Sequence, residues 1–193
     1  MGESATKAHR ATSHRITRAA QSLTDEHGLD GFTMDELAAA CDVSRRTLFN
    51  YFPSKVDAVL GAVPELDPED RATFLAGGPH GRVLDDLGAL GRTILDVAIP
   101  DREALALGRR VLTADPRLLV AVHTRFEQVI AAFELLVLDR EGPSFGAARA
   151  RLLVRMVLAV FDTALDAYLT STPERPMVEL YDATLADARA LLA

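Results

Sequence analysis

Helical periodicity runs through almost the whole chain and limits its fold more than any other feature of the sequence. Apolar residues recur at intervals of three and four positions, whereas alternating Val, Ile, Thr and Tyr runs and Asn-Gly hairpin turns are nearly absent. The sequence therefore predicts an all-α protein. We expect helices over residues 7–27, 33–40, 44–50, from 54 onward, 82–98, 101–113, 116–139, 144–170 and 176–192.

Composition narrows the class of protein further. Apolar residues make up 49% and charged residues 25% of the 193 residues, as in an ordinary globular protein, and no run of 18 apolar residues predicts a membrane span. The polar N-terminus lacks the apolar stretch of a secretory signal, so we expect a cytoplasmic location. The single Cys41 allows no disulfide within the chain, and the five histidines lack metal-ligand spacing. We expect no metal and no cofactor.

A cluster of helix-breaking residues divides the chain. Seven glycines and prolines fall between residues 61 and 81: Gly61, Pro64, Pro68, Gly77, Gly78, Pro79 and Gly81. We expect a hinge here without a long helix, and a boundary between domains at residues 1–60 and 61–193. Later breaks between helices are expected at Pro100, Asp115-Pro116, Glu141-Gly142-Pro143 and Thr172-Pro173.

Capping and turn signals organise the N-terminal domain. Gly28 should end the first helix, and Thr33 with Glu36 forms the pattern of a capping box at the start of the second. Asp42 tolerates the left-handed backbone of a tight turn, and Ser44 is placed to cap the third helix. Ser54 should cap a fourth helix.

Two short helices joined by a tight turn are the length pattern of a helix-turn-helix. Its apolar positions predict one shared small core, made of Ile16, Ala20, Leu23, Leu37, Ala38, Cys41, Val43, Leu48 and Phe52. The opposite face of the third helix should then be directed outward, where Arg can bond guanine, Asn adenine, and the Thr methyl can pack on thymine. The predicted DNA-contacting residues are Arg10, Arg15, Thr33, Ser44, Arg45, Arg46, Thr47, Asn50, Tyr51 and Lys55.

These contacts divide by chemistry. Arg45, Arg46, Thr47 and Asn50 are predicted to reach base edges. Ser44 stands at a helix N-terminus, which favours a phosphate, and Thr33, Tyr51 and Lys55 are further phosphate-reaching groups. The basic arm of Lys7, Arg10 and Arg15 is expected to add charge contacts or to probe the minor groove. The net charge of the chain is −7, so a localised basic surface near the N-terminus is required for binding.

The stretch from Gly31 to Lys55, GFTMDELAAACDVSRRTLFNYFPSK, resembles the DNA-binding region of the TetR family of repressors, and the likeness extends over about residues 10–60. This resemblance implies a three-helix DNA-binding domain, a linking fourth helix and a divergent helical ligand-binding domain. It further implies a dimer built from the last two helices, and an effector that shifts the fourth helix and releases DNA. Arg46 and Asp42 depart from the family pattern, which has glycine at these positions in many members.

Residues 61–193 match no family motif, so their interpretation rests on periodicity. We expect an apolar pocket for an apolar or aromatic effector, lined by Leu87, Leu90, Ile94, Leu105, Val111, Val122, His123, Phe126, Ile130, Phe133 and Phe161. For His123, a core or surface position is the alternative to a polar anchor in that pocket. A dimer interface is expected at Leu152, Met156, Val160, Leu180, Tyr181, Thr184, Leu185 and Ala188.

One line of charges along the 144–170 helix has three interpretations. Arg151, Arg155, Asp162 and Asp166 fall on the same side. They form the solvated edge of the helix, or pair with their counterparts across a two-fold axis, or place an aspartate in the pocket for a cationic ligand.

The sequence thus predicts a homodimeric regulator that binds palindromic operator DNA and is released by a small apolar effector. A DNA-binding regulator without an effector is the first alternative, and a helical enzyme is the second. We find no catalytic constellation: no nucleophile elbow, phosphate-binding glycine loop or converging carboxylates.

Overall fold

The computed structural model describes the backbone of residues 2–98, 101–172 and 175–192, and the side chains of residues 8–95, 101–172 and 175–191. The helix breaks expected at Pro100 and Pro173, and the side chain of Lys7, lie outside the described residues. Within the described part the fold is all-α, as predicted. Its elements are α1 Gly2–His27, α2 Met34–Ala40, α3 Arg45–Tyr51, α4 Lys55–Leu60, α5 Pro68–Leu75, α6 Val83–Ala98, α7 Arg102–Ala114, α8 Pro116–Glu141, a 3-10 turn Pro143–Phe145, α9 Ala147–Thr170 and α10 Met177–Leu192. None of the helices in the described ranges has the length and apolarity needed to cross a bilayer.

The chain forms two compact units. The first comprises Met1–Val63 and Pro100–Thr124, and the second comprises Pro64–Ile99 and Arg125–Ala193. The break near residue 63 lies close to the expected boundary. The segment 100–124, however, had been assigned to the second domain, and it packs with the first. The assignment of DNA binding and effector binding to the two halves stays a prediction.

The first unit is built around α1, which packs against α2, α4 and α7. All nine predicted core residues lie in one apolar cluster, with Ile16, Leu37 and Leu48 fully buried. Val111 of α7 and Leu118 of α8 complete this cluster. Burial on this scale fixes α2 and α3 against a rigid support, because each large apolar side chain removed from water stabilises the fold by about 1.5–3 kcal/mol.

Local signals set the ends of these helices as predicted. Gly28 has a φ of +73° after α1, and Asp42 has a φ of +50° in the turn between α2 and α3. Thr33 and Glu36 form the capping box, in which the Glu36 carboxylate accepts from the Thr33 backbone N–H at 2.7 Å. Ser54 caps α4 by accepting from the Asp57 N–H at 3.1 Å.

The second unit consists of α5, α6, α9 and α10, together with residues 125–141 of α8. Helices α6, α9 and α10 pack on one another, and α5 packs on α6. Tyr181 of α10 is fully buried, and its hydroxyl donates to the Gly88 carbonyl at 3.1 Å. A side chain at Gly91 would collide with that hydroxyl, so the absence of a Cβ permits the close approach of α6 and α10.

Helix α5 was not predicted. The prolines of residues 61–81 were interpreted as helix breakers, but Pro68 occupies the first turn of α5, where its missing N–H has no consequence. Asp67 caps this helix by accepting from the Glu69 N–H at 2.8 Å. The expectation that this segment has no long helix holds, since α5 has 8 residues.

Candidate nucleic-acid interface

Helix α3 separates its apolar side from its polar side. Leu48 is fully buried in the core of the first unit, whereas Arg45, Arg46 and Asn50 are exposed and Thr47 is half-buried. Ser44 caps the helix, accepting from the Thr47 N–H at 3.0 Å and sharing a 2.8 Å hydrogen bond with the Thr47 hydroxyl. The structure therefore presents the four predicted base-contacting side chains along the accessible part of one short, rigid helix.

The two arginines of α3 differ in their surroundings. Arg45 Nη1 donates to Asp35 Oδ2 of α2 at 3.1 Å, and its guanidinium lies 5.5 Å from the centre of the Phe49 ring. Arg46 has no hydrogen bond or ion pair to another described residue. Arg46 is thus available to donate to an acceptor outside the protein. Arg45 can do so only by breaking its hydrogen bond to Asp35 or by using its other N–H groups.

Sequence reasoning did not include Phe49 in the site. Its ring is 41% exposed on α3, beside the Arg45 guanidinium. The available signal was its position next to the buried Leu48, because adjacent residues on a helix point about 100° apart. An exposed aromatic ring here offers an apolar surface suited to a thymine methyl group.

Lys55 makes contacts within the protein that the sequence did not predict. Its ammonium donates to the Leu29 carbonyl at 2.7 Å and to the Phe32 carbonyl at 2.8 Å, and it lies 5.0 Å from the centre of the Phe32 ring. These bonds hold the loop between α1 and α2. Lys55 therefore has a structural role in this loop, and its ammonium keeps a third N–H donor, so the phosphate contact stays a prediction.

The other predicted phosphate-reaching groups have varied settings. Tyr51 is half-buried and stacks on His9 with ring centres 4.4 Å apart. Thr33 is exposed, but its hydroxyl already donates to Glu36 Oε2 at 2.9 Å. Hydrogen bonds from Thr33 lower the pKa of Glu36, so this carboxylate stays ionised beside the helix N-terminus. Arg10 and Arg15 are exposed on α1.

Cys41 lies in the core of the first unit, as predicted. Its side chain is buried, and burial raises the pKa of the thiol. A thiol with a raised pKa holds little thiolate at neutral pH and is a poor nucleophile. Among the described residues no group of three His, Cys, Asp or Glu side chains is arranged to hold a metal ion.

The residues expected to line one pocket lie in three different apolar clusters or near the surface. Leu87, Leu90 and Ile130 are buried together in one core cluster of the second unit, with Phe133 packed against it, and Phe161 packs against a different cluster. Val111 belongs to the core of the first unit. The remaining members are less buried: Ile94, Leu105 and Val122 are intermediate, and His123 and Phe126 are exposed. His123 therefore occupies a surface position, the alternative considered for it.

Four of the eight residues expected at the dimer interface are buried within the chain, so the expectation is wrong for them. Val160, Leu180, Tyr181 and Leu185 are buried by the chain's own α6, α9 and α10, so they are not exposed to a partner. Leu152 is 61% exposed. Met156, Thr184 and Ala188 are half-buried.

The charged line on α9 is explained within the chain. Arg151 and Arg155 both donate to the Glu127 carboxylate of α8, at 2.5 and 2.8 Å, and Asp162 and Asp166 are exposed. This arrangement fits the solvated edge of the helix, which was one of the three interpretations.

The capped α2, the left-handed turn at Asp42 and the outward polar face of α3 together make a helix-turn-helix of the kind that places its second helix in the major groove.

Residues 16–61 match the family model described as bacterial regulatory proteins, tetR family. The chain is 31% identical over 97 residues to the HTH-type transcriptional repressor KstR of Mycolicibacterium smegmatis, and the match covers 48% of each protein. The chain thus spans about half the length of the curated relative that it matches. Residues 16–61 are therefore similar to the tetR family of bacterial regulatory proteins, in agreement with the resemblance of the N-terminal segment.

A solved structure with a TM-score above 0.5 shows the same fold over most of the chain. A crystal structure assigned to the TetR-family transcriptional regulators, from Mesorhizobium loti, has a TM-score of 0.53 at 20% identity and covers 95% of this chain and 96% of its own. The FadR repressor of Thermus thermophilus, in complex with lauroyl-CoA, has a TM-score of 0.47 at 25% identity and covers 91% of this chain and 92% of its own.

Proposed function

We propose that this protein is a dimeric transcriptional repressor that binds an inverted-repeat operator through α3 and leaves it when a small effector binds. The single observation that carries the proposal is the division of α3, in which buried Leu48 fixes the helix while Arg46 and Asn50 extend outward. This is the arrangement that major-groove readout requires, because base edges are reached only by side chains opposite the packed face.

Each outward side chain has a chemically defined target. Arg46 is suited to a bidentate contact with guanine, and Asn50 to one with adenine. The Thr47 methyl group and the Phe49 ring are suited to thymine. Arg45, Arg10 and Arg15 supply charge toward phosphates, which contributes affinity and salt dependence without sequence information.

The test of DNA binding begins with selection of an operator from a random duplex library by the full-length protein. Affinity is then measured by fluorescence anisotropy at one fixed salt concentration. Arg46→Ala should lose roughly 1–3 kcal/mol of binding free energy and relax the base preference at one position of each half-site. Arg71→Ala removes an exposed arginine on α5, which belongs neither to α3 nor to the proposed dimer face, and serves as the matched control. Equal affinity of the Arg46→Ala variant and the wild type would remove Arg46 from the interface.

Dimerisation is proposed through the exposed faces of α9 and α10. Leu152 and Ala159 are exposed on α9, and Ala183, Ala186 and Ala190 are exposed on α10. Small residues allow two helices to approach closely, and a two-fold axis would bring the same face of each subunit together. Binding to an inverted repeat would require the two copies of α3 to lie about 34–36 Å apart, one helical turn of DNA.

A charge placed on this face tests the dimer. Leu152→Glu should shift the protein from dimer to monomer in sedimentation equilibrium, because each interface would bury two uncompensated carboxylates. Leu135→Glu, at an exposed leucine of α8, is the matched control and should stay dimeric. A Leu152→Glu protein that remains fully dimeric would move the interface elsewhere.

Release by an apolar or aromatic effector is the finer part of the proposal. An effector shifts the equilibrium only if it binds more tightly to a conformation whose two α3 helices no longer match the groove spacing. Because Leu87, Leu90 and Ile130 pack together in one core, such an effector would have to separate them on entering. Thermal unfolding in the presence of indole, naphthalene derivatives and long-chain alcohols tests this, since binding to the folded state raises the melting temperature.

The same packing favours a second candidate function, a dimeric DNA-binding regulator without an effector. Leu87, Leu90 and Ile130 then serve only to stabilise the second unit. Stabilisation by any of the apolar compounds, accompanied by loss of operator binding, would exclude this candidate. An unchanged melting temperature across the whole panel would favour it.

A further inference from the structure

A polar cleft in the second unit shares only Leu185 with the residues of the sites considered above. It lies between α6 and α10, has a volume of about 430 Å³, and we call it the arginine cleft. Its charged lining comprises Arg82, Asp85, Arg92, Asp182 and Arg189, and Leu185 supplies part of an apolar wall. Three arginines converge here, although residues 61–193 contain 14 Lys and Arg against 20 Asp and Glu.

Asp85 organises two of these arginines. Its side chain is only 6% exposed, and its two oxygens contact different guanidiniums: Oδ1 lies 2.6 Å from Arg189 Nε, and Oδ2 accepts from Arg82 Nε. Burial alone would raise the pKa of Asp85, but the hydrogen bond from Arg82 and the charges of Arg189 and Arg82 outweigh burial and lower it. Asp85 is therefore an ionised carboxylate that holds two like-charged groups beside each other.

The orientation of these contacts leaves hydrogen-bonding capacity in the cleft. A guanidinium carries five N–H donors, and Asp85 engages Arg82 and Arg189 through Nε. The terminal nitrogens of both remain for another acceptor, and such paired guanidiniums are the preferred donors to carboxylate and phosphate groups. Arg92 adds a third positive charge, which Asp182 partly offsets through bonds of 3.1 and 3.2 Å at the exposed rim. Three arginines and two aspartates give the cleft a net charge of +1.

We propose that the arginine cleft binds a metabolite-sized anion, one that carries a carboxylate or phosphate group next to a small apolar part. Paired guanidiniums of Arg82 and Arg189 grip the anionic group, and the Leu185 wall contacts the apolar part. The volume of the cleft lies in the range of small-molecule sites. This site is independent of the DNA contacts, so its test needs no operator and its failure leaves the proposed DNA binding unaffected.

The experiment is a titration of the full-length protein with inorganic phosphate and, separately, with citrate. Isothermal titration calorimetry measures the binding, and thermal unfolding measures the stabilisation. Chloride at the same ionic strength is the reference, because general screening by salt affects all surface charges. If the cleft binds anionic oxygens of either kind, both phosphate and citrate should raise the melting temperature more than chloride does. Binding of only one of them identifies the anionic group as phosphate or as carboxylate. Stabilisation by neither beyond the chloride reference overturns the proposal.

Three variants locate the binding. Arg82→Gln and Arg189→Gln should each weaken the affinity about tenfold, as expected for the loss of a hydrogen bond to a charged group. Asp182→Asn should strengthen it roughly threefold, because it removes a carboxylate that competes for Arg92. A higher affinity cannot arise from misfolding. The Asp182→Asn variant therefore still tests the site if Arg189→Gln does not fold. Arg149→Gln is the control, and an equal loss of affinity in Arg149→Gln and Arg82→Gln, or no gain in Asp182→Asn, refutes the site.

Discussion

The buried ion pair of Arg140 and Asp86 should make the second unit sensitive to the loss of either partner alone. Asp86 is fully buried, and the Arg140 side chain is 5% exposed. Arg140 Nη2 donates to Asp86 Oδ2 at 2.5 Å, and the backbone N–H of His80 donates to Asp86 Oδ1 at 2.5 Å. The guanidinium also lies 4.6 Å from the centre of the Phe74 ring. One pair therefore ties α5, the loop before α6, α6 itself and α8 together.

Arg140→Met keeps most of the side-chain volume and removes the charge. The Asp86 carboxylate is then left buried with the His80 N–H as its described partner, which should cost roughly 3–5 kcal/mol. For a chain of this length the melting temperature should fall by about 6–20 °C. Urea unfolding at neutral pH, followed by circular dichroism, measures the free energy change directly.

A double-mutant cycle separates the pair from its surroundings. Replacing both partners, as in Arg140→Met with Asp86→Leu, should recover most of the loss, because no uncompensated charge stays in the core. The control is Arg71→Met, whose exposed partner Asp139 is 3.9 Å away, and it should change stability by less than ~0.5 kcal/mol. A loss below about 1 kcal/mol for Arg140→Met, or a double variant as unstable as the sum of both single variants, would refute this reasoning.

Three further changes test other parts of the structure. Thr33→Ala removes the capping box of α2 and should lower the free energy of unfolding, measured with a chemical denaturant, by about 1 kcal/mol. An unchanged free energy would show that the hydroxyl does not stabilise the helix. Gly91→Ala introduces a Cβ against the buried Tyr181 hydroxyl and should destabilise by roughly 1–3 kcal/mol, whereas an unchanged midpoint would show that α6 and α10 can move apart. The lowered pKa of Asp85 means that its ionised form stabilises the fold above the ordinary aspartate range and that this stabilisation is lost as the pH falls through the lowered pKa. Asp85→Asn should therefore flatten the acid side of the stability profile, and an identical profile would contradict that role.

The N-terminal half of the fold was predictable because its signals are local. The capping box at Thr33, the turn at Asp42 and the cap at Ser44 each act within three or four residues, and the structure places all three as the sequence indicated. Lys55 shows where such reasoning stops. Its two carbonyl partners lie 26 and 23 residues away along the chain, and only the folded loop brings them to the ammonium.

The second unit was harder to predict because periodicity identifies a buried face without identifying what buries it. The apolar stripe of α10 is real, but its largest member, Tyr181, packs on Gly88 and Gly91 of α6 within the same chain. A surface that is free to meet a second subunit must then lie on the other side, at small residues such as Ala183 and Ala186, which look unremarkable in the sequence. For the same reason, the leucines expected to line a pocket form a packed core, whereas arginines brought together by the buried Asp85 form the polar cleft. The two proposed kinds of ligand, an apolar compound and a small anion, would therefore use different parts of the second unit, and the apolar panel and the anion titration distinguish them.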